Sequence, residues 1–266
     1  MTDRPFVEPV IQIRGLSCSY ISGNYAGKKE VKPVLHNINL DIKASEIFGL
    51  LGESGGGKTT LARCIMGIID YQGEITINGK KMYGRQPPQS LYLNSRQIQM
   101  IYQSPGASLN PEKKIGWLLE EPLVIHKTPA ALRSHMVDEM LERVGLDQSC
   151  KNWRASELSG GQKQRACIGR ALMLEPKILI ADEAISSLDL CAGSQILNLF
   201  TELRKNTGLT IIFISHDTNA VEYISDRIYN ISLMRLSAPI QELLPDRVLN
   251  LRHGPCLHSL SSGKNS

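Results

Sequence analysis

Residues Gly52 to Thr60 read GESGGGKTT and fit the pattern Gly-x-x-x-x-Gly-Lys-[Ser/Thr]. The glycines let the backbone N–H groups of Gly52, Glu53, Ser54, Gly55, Gly56 and Gly57 converge on phosphate oxygens. A helix starting after the loop would aim its positive end at the same anion. In such a cradle Lys58 reaches the β- and γ-phosphates and the Thr59 hydroxyl binds Mg2+, with Thr60 close behind. The plainer reading of the same residues is a glycine turn that caps a helix.

A second cluster supplies carboxylates. In KILIADEAISSLD, Asp182 falls at the C-terminal end of an apolar run, where parallel sheets place their ligands, and would hold Mg2+ through water. Glu183 follows, and strand alternation turns it elsewhere, toward a γ-phosphate and an attacking water that it could polarise. Taken alone, an acidic pair can simply face solvent at a strand end. His216 closes a second apolar run, IIFIS, and could donate to the γ-phosphate, although a lone histidine is more often structural. Gln103, after the run IQMIY, carries an amide able to touch Mg2+ or the water; in isolation it is an ordinary polar loop residue.

LSGGQKQR, from Leu158 to Arg165, looks like a second anion grip. Ser159, Gly160 and Gly161 open a helix with Gln162 in its first turn, so one chain carries two phosphate-binding arrangements far apart in sequence.

The chain has 266 residues, enough to bury a sizeable core, with 42% hydrophobic and 21% charged residues. A net charge of only +4 leaves no footprint for nucleic acid. The six cysteines are scattered without a Cys-x-x-Cys pair, which suits free thiols in a reducing compartment. The N-terminal MTDRPFVEPV lacks a signal-peptide core, and the longest apolar runs are too short to cross a bilayer.

Elements that could position these residues are readable in turn. VIQIRGLSCSY and VLHNINLDI alternate as half-buried strands, and IFGLL (47–51) is a continuous apolar run of the kind buried in a parallel sheet. KTTLARCIMGII reads as the helix after the glycine loop, and GEITINGKKM as a hairpin turning at Asn78-Gly79. Around 96–157 the pattern becomes helical. Thr128 is the expected N-cap, Pro129 the first helical residue, and Leu132, Met136, Met140, Leu141 and Val144 the apolar face, with Gly145 as the stop. Helix 160–174, strand KILIAD, helix QILNLFTELRKN stopped by Gly208, and strand LTIIFIS restore α/β alternation. The predicted fold is therefore α/β, a P-loop NTPase core with a parallel sheet.

Taken in this order, the pieces resemble the nucleotide-binding subunit of ABC transporters. The glycine loop, Gln103, LSGGQ at 158–162, ILIADE at 178–183, SSLD at 186–189 and His216 each match a family motif, over roughly residues 10 to 230. The resemblance implies an N-terminal antiparallel β subdomain and an inserted α-helical subdomain. On that basis the core with its β subdomain covers about 10–95 and 158–230, the helical subdomain about 96–157, and a short tail 231–266. Tyr20 stands where the family places an aromatic that stacks on adenine; a core tyrosine is the plainer alternative.

The family further implies ATP and Mg2+ as ligands. It implies head-to-tail pairing, in which Ser159, Gly160, Gly161 and Gln162 close over ATP held by a second ABC ATPase, and Asp189 belongs to the loop coupling the two sites. The other expected partners are transmembrane permease subunits, received in a groove between Gln103 and the helical insertion, and indirectly a solute-binding protein. The expected place is the cytoplasmic face of the cell membrane, held peripherally. QSPGASLNPEKKIG looks like the dipeptide/oligopeptide/nickel importer branch, and Ala184 in DEAISSLD leans toward nickel or metal-chelate members. In that branch two different ATPases often pair, so a heterodimer is favoured over a homodimer.

Two rival readings remain within the resemblance. A soluble ABC ATPase acting on ribosomes or DNA would carry a second cassette or a long coiled coil, and this chain shows neither. A cassette that only completes a partner's site would have lost the glutamate or the histidine, yet Glu183 and His216 are present. The sequence departs from the branch in DRIYNISLMRLSAPIQELL, whose lack of glycine argues against the glycine-centred hairpin that many relatives carry. His253, Cys256 and His258 in RHGPCLH are close enough to invite a transition metal, but an unstructured C-terminus is the simpler expectation.

Overall fold

A computed structural model describes residues 9–23, 29–84, 95–103, 108–232 and 235–236. The elements are β1 (Pro9–Gly23), β2 (Lys29–Lys43), β3 (Ile47–Leu51), α1 (Lys58–Ile65), β4 (Gln72–Ile77), β5 (Lys80–Met82) and β6 (Ile98–Ile101). They continue with α2 (Ile115–Ile125), α3 (Ala130–Arg143), α4 (Gly160–Leu172), β7 (Ile178–Asp182), α5 (Leu190–Thr207), β8 (Thr210–Ser215), α6 (Thr218–Ile224), β9 (Arg227–Ser232) and β10 (Arg235–Leu236).

Two sheets form. One is antiparallel with order β2-β1-β4-β5; the other has order β10-β9-β3-β8-β7-β6 and is parallel except for β10. Strands β3, β7 and β8 are buried throughout because the second sheet is covered on both faces. Phe48, Leu50, Ile178, Ile180, Ile212 and Ile214 pack into the core shared with α1 and the antiparallel sheet. Their alternate neighbours Ile47, Leu179, Ala181, Ile211 and Phe213 pack against the helices on the other side. Asn78 and Gly79 make the β4–β5 turn with φ of 50° and 73°, as their types predict.

The helical region differs from the sequence reading in detail. Thr128 does not cap α3; Pro129 is the N-cap residue, and no side chain bonds the helix start. Instead, the Thr128 carbonyl accepts from Arg133 Nε at 2.8 Å. Val137, Met140, Leu141 and Val144 are buried, whereas Leu132 is 53% exposed. At about 100° per residue, Leu132 lies roughly a third of a turn from the centre of that buried face. Helix α1 stops at Ile65, short of the expected Ile69, and Gly67 turns the chain at φ 68°.

Two boundaries also move. β6 is a strand of the parallel sheet, so the helical insertion begins after it rather than at residue 96. β9 and β10 pair antiparallel, with Leu236 opposite Ile231, so a hairpin forms where the missing glycine argued against one. Ile231 is buried, and its side chain and carbonyl lie 2.7 Å from where a Cβ on Gly52 would stand. His253, Cys256 and His258 lie outside the described residues.

Candidate functional site

The loop between β3 and α1 is shaped by glycines in conformations that other residues rarely adopt. Gly55 and Gly57 have φ of 81° and 92°. Gly57 is the N-cap of α1 and offers no side-chain bond to its first turn, which leaves that turn's N–H groups for a ligand. A Cβ at Gly57 would stand 2.9 Å from Leu35 Cδ2 and 3.2 Å from Val34 Cγ1 on β2. The loop is folded on itself, with Gly56 N–H donating to the Glu53 carbonyl at 3.1 Å. Lys58 is 5% exposed, and its ammonium donates to the carbonyls of Gly52 (2.6 Å) and Glu53 (2.9 Å). Glu53, Ser54 and Gly55 face solvent, while Thr60 is buried.

The C-terminal ends of the parallel strands bring the remaining candidates to this loop. Asp182 ends β7 and is 3% exposed; its Oδ2 accepts from the Thr59 hydroxyl at 2.7 Å. Its other oxygen, Oδ1, is buried without a hydrogen-bond partner among the described residues. Burial pushes the Asp182 carboxyl above its usual range, and the Thr59 bond opposes that rise. A buried carboxylate oxygen without a donor, beside a hydroxyl, fits a hard divalent cation with oxygen ligands.

Glu183 leaves the strand at φ 52°, and this left-handed step turns its side chain away from Asp182. Its N–H donates to the Ile214 carbonyl at 2.9 Å, and Ser186 donates through N and Oγ to the Glu183 carbonyl at 3.2 and 2.9 Å. The Glu183 carboxylate sits 3.8 Å from Lys58 Nζ and 2.8 Å from His216 Nδ1. A carboxylate only accepts, so His216 donates through Nδ1 and keeps Nε2 for another partner. Lys58, Thr59, Asp182, Glu183 and His216 therefore form one connected cluster.

Gln103 lies two residues beyond β6, level with Glu183 by the pairing of Ile101 with Ala181. It is exposed and, among the described residues, hydrogen-bonded to none of the cluster. Tyr20 is 40% exposed on β1, with its hydroxyl 3.4 Å from Thr60 Oγ1, so it borders the loop rather than filling the core.

The Ser159 segment builds a separate feature. Ser159 caps α4 in a reciprocal box: its hydroxyl accepts from Gln162 N–H at 3.3 Å, and Gln162 Oε1 accepts from Ser159 N–H at 2.9 Å. Ser159, Gly160, Gly161 and Gln162, with Arg165 and Asp189, line a cleft of about 310 Å3. Asp189 caps α5, accepting from Ala192 N–H at 2.9 Å. No residue of the 52–60 loop lines this cleft. The glycine loop and the Ser159 cleft thus share no lining residue.

A third concavity of about 360 Å3 lies between β6, α2 and α4, lined among others by Met100, Ile101, Leu109, Ile125 and Leu174. Arg170 joins its walls, donating to Glu121 at 2.5 Å and to the Ser108 carbonyl at 3.0 Å. Cys167 in its wall is pushed up to about 12 by burial, which makes it a poor nucleophile. His126 accepts at Nδ1 from Arg96 Nε at 3.2 Å, and burial, then Arg96, lowers its pKa. A motif reading passes over Arg96, His126 and Arg170 because they belong to a packed wall rather than to a spaced pattern.

Comparison with known proteins agrees with this architecture. The ABC transporter family matches residues 35–186. The chain is 40% identical over 234 residues to the oligopeptide transport ATP-binding protein OppF of Bacillus subtilis, covering 86% of this chain and 76% of that protein. It is 41% identical over 228 residues to the glutathione import ATP-binding protein GsiA of Salmonella paratyphi A, covering 83% of this chain but only 36% of that longer protein. Among solved structures, a dimeric post-hydrolysis state of the ATP-binding cassette MJ0796 bound to ADP and Pi superposes with a TM-score of 0.75 at 26% identity, covering 86% of this chain and 97% of that one. The cbiO1 subunit from Clostridium perfringens, part of the transporter complex cbiONQ, gives 0.77 at 28% identity, covering 87% and 88%.

Proposed function

The chain belongs to the ABC transporter family, and from that premise we propose that it is the ATP-binding, ATP-hydrolysing subunit of an importer for small peptides. The supporting observation is the single cluster of Lys58, Thr59, Asp182, Glu183 and His216 under a glycine loop. Names such as oligopeptide and glutathione import among the relatives favour a peptide cargo over the nickel or metal-chelate cargo that Ala184 suggests.

In this reading the triphosphate lies in the Gly52–Thr60 loop with adenine against Tyr20. Lys58 exchanges the carbonyls of Gly52 and Glu53 for phosphate oxygens. Thr59 and Asp182, with Gln103 nearby, would hold Mg2+, which would supply neutralisation of phosphate charge. Glu183 orients and polarises the attacking water, and His216, once both ring nitrogens are protonated, donates from Nε2 to the γ-phosphate. Loss of the γ-phosphate removes these contacts, so turnover loosens whatever it bridges.

A second cassette bridges it. The Ser159–Gln162 cleft shares no lining residue with the chain's own loop, which suits a γ-phosphate held by a partner; MJ0796 is described as dimeric. A related ATPase is the favoured partner, and Asp189 sits at the junction. The concavity beside β6 receives a short helix of a permease subunit, fed by a solute-binding protein. No helix among the described residues is long and apolar enough to cross a membrane, so the permease holds this subunit peripherally at the cytoplasmic face.

The test is nucleotide-dependent phosphate release by the subunit assembled with its permeases. Peptide-stimulated release supports the proposal, and assembly without any ATP turnover refutes it.

A further inference from the structure

Cys18 on β1 and Leu35 on β2 stand opposite one another, and both are buried. Their face looks toward α1, since the Cys18 thiol interacts with that of Cys64 on the helix. The pairing register shifts between Cys18 and Ser19, but Tyr20 still faces the helix, since its hydroxyl lies 3.4 Å from Thr60 Oγ1 on α1. The residue directly across from Tyr20 is Lys32, and cross-strand partners lie on the same side of an antiparallel pair. Lys32 therefore stands beside Tyr20, on the side of the β1–β2 ribbon that covers the start of α1. Lys32 is exposed and makes no ion pair among the described residues. Arg14 and Lys81 in this sheet are paired with Asp41 and Glu74, whereas Lys32, like Lys43 and Lys80, is not paired among the described residues.

We propose that Lys32 is a nucleotide-contacting residue, whose ammonium meets a nucleoside di- or triphosphate from the Tyr20 side of the glycine loop. The inference rests on the functional reading above, which puts the nucleoside against Tyr20. A flexible ammonium next to a polyanion contributes modestly when partly solvated, because water and salt screen it. The competing role is that of a solvated charge on β2, an edge strand, where lysine discourages pairing with another chain. A charge with only that role has no effect on nucleotide affinity.

The test is the affinity of the full chain for ATP and for ADP, measured by calorimetry for Lys32→Gln, Lys32→Arg and Tyr20→Ala. Lys32→Gln is expected to weaken both nucleotides about 3- to 10-fold, and the loss should shrink as salt rises from about 0.05 to 0.5 M. Lys32→Arg should restore affinity, and the melting temperature without nucleotide should not move. If Lys32→Gln binds like the unaltered chain while Tyr20→Ala binds weakly, Lys32 is only an edge charge and the inference fails alone. If both variants bind normally, the nucleoside does not lie on this face, and the reading of the site fails with it.

Discussion

The carboxylate of Glu183 lies 2.8 Å from Nδ1 of His216, and this contact ties the end of β7 to the end of β8. The bond holds a proton on Nδ1 and leaves Nε2 for substrate, which it serves as a donor in the imidazolium form. His216→Ala should therefore lower phosphate release by about 100-fold or more while leaving ATP affinity within a few-fold, because general acid–base groups act mainly on turnover. Single-turnover phosphate release beside equilibrium binding separates the two quantities.

Lys58 carries the positive charge inside the cradle, and its ammonium is already aligned by the Gly52 and Glu53 carbonyls. Lys58→Ala should weaken ATP at least 10-fold, in proportion to the loss of a buried charge-assisted contact of about 1.5–3 kcal/mol. Titration calorimetry checks it; unchanged affinity would place the phosphates elsewhere.

Asp182 gives a pH-dependent prediction with a definite sign. Burial raises its folded pKa, so folding favours the protonated form. Between the unfolded and folded values the native state binds more protons, and stability falls as pH rises through that window. Above the folded value the penalty is constant. Asp182→Asn should thus raise the melting temperature in EDTA at about pH 8, by roughly 2–4 °C per kcal/mol of relief, with the gain fading toward pH 4. The same variant should lose the Mg2+ dependence of ATP affinity. Calorimetric scans at the two pH values decide it, and a lower melting temperature at pH 8 would show that Asp182 stabilises the fold.

The Ser159 cleft allows binding and turnover to be separated. Ser159→Arg or Gly160→Asp should leave ATP affinity of the isolated chain unchanged yet stop hydrolysis in the assembled transporter. Ser159→Arg also removes an N-cap bond, so a loss of about 1 kcal/mol in stability is expected from it. Gly160→Asp keeps the cap and isolates the effect on turnover. A drop in affinity of the isolated chain would mean that the cleft serves the chain's own loop.

Much of this arrangement was legible in sequence, for identifiable reasons. Strands β3, β7 and β8 read as continuous apolar runs because both faces are covered, and the glycine loop is local in sequence. What escaped was non-local. The motifs assign Thr59 and Asp182 to the same Mg2+, but their direct hydrogen bond spans 123 positions and is not a local feature of either motif. Alternation separates Glu183 from Asp182, but neither its left-handed φ of 52° nor its N–H bond to the Ile214 carbonyl is visible in sequence. The β9–β10 pairing has no glycine signal in the sequence, and the close approach of buried Ile231 to Gly52 is a long-range contact. Leu132 is apolar yet 53% exposed because its angle around α3 lies off the buried face.

The central claim is that two cassettes share each ATP, and Glu183→Gln tests it most directly. Sedimentation of this variant with ATP, alone and mixed with its companion ATPase, should show a stable dimer that retains unhydrolysed nucleotide. Adding Gly160→Asp to the variant should return it to monomers that still bind ATP. A nucleotide-loaded chain that stays monomeric in every mixture, or a dimer indifferent to Gly160→Asp, would contradict the account.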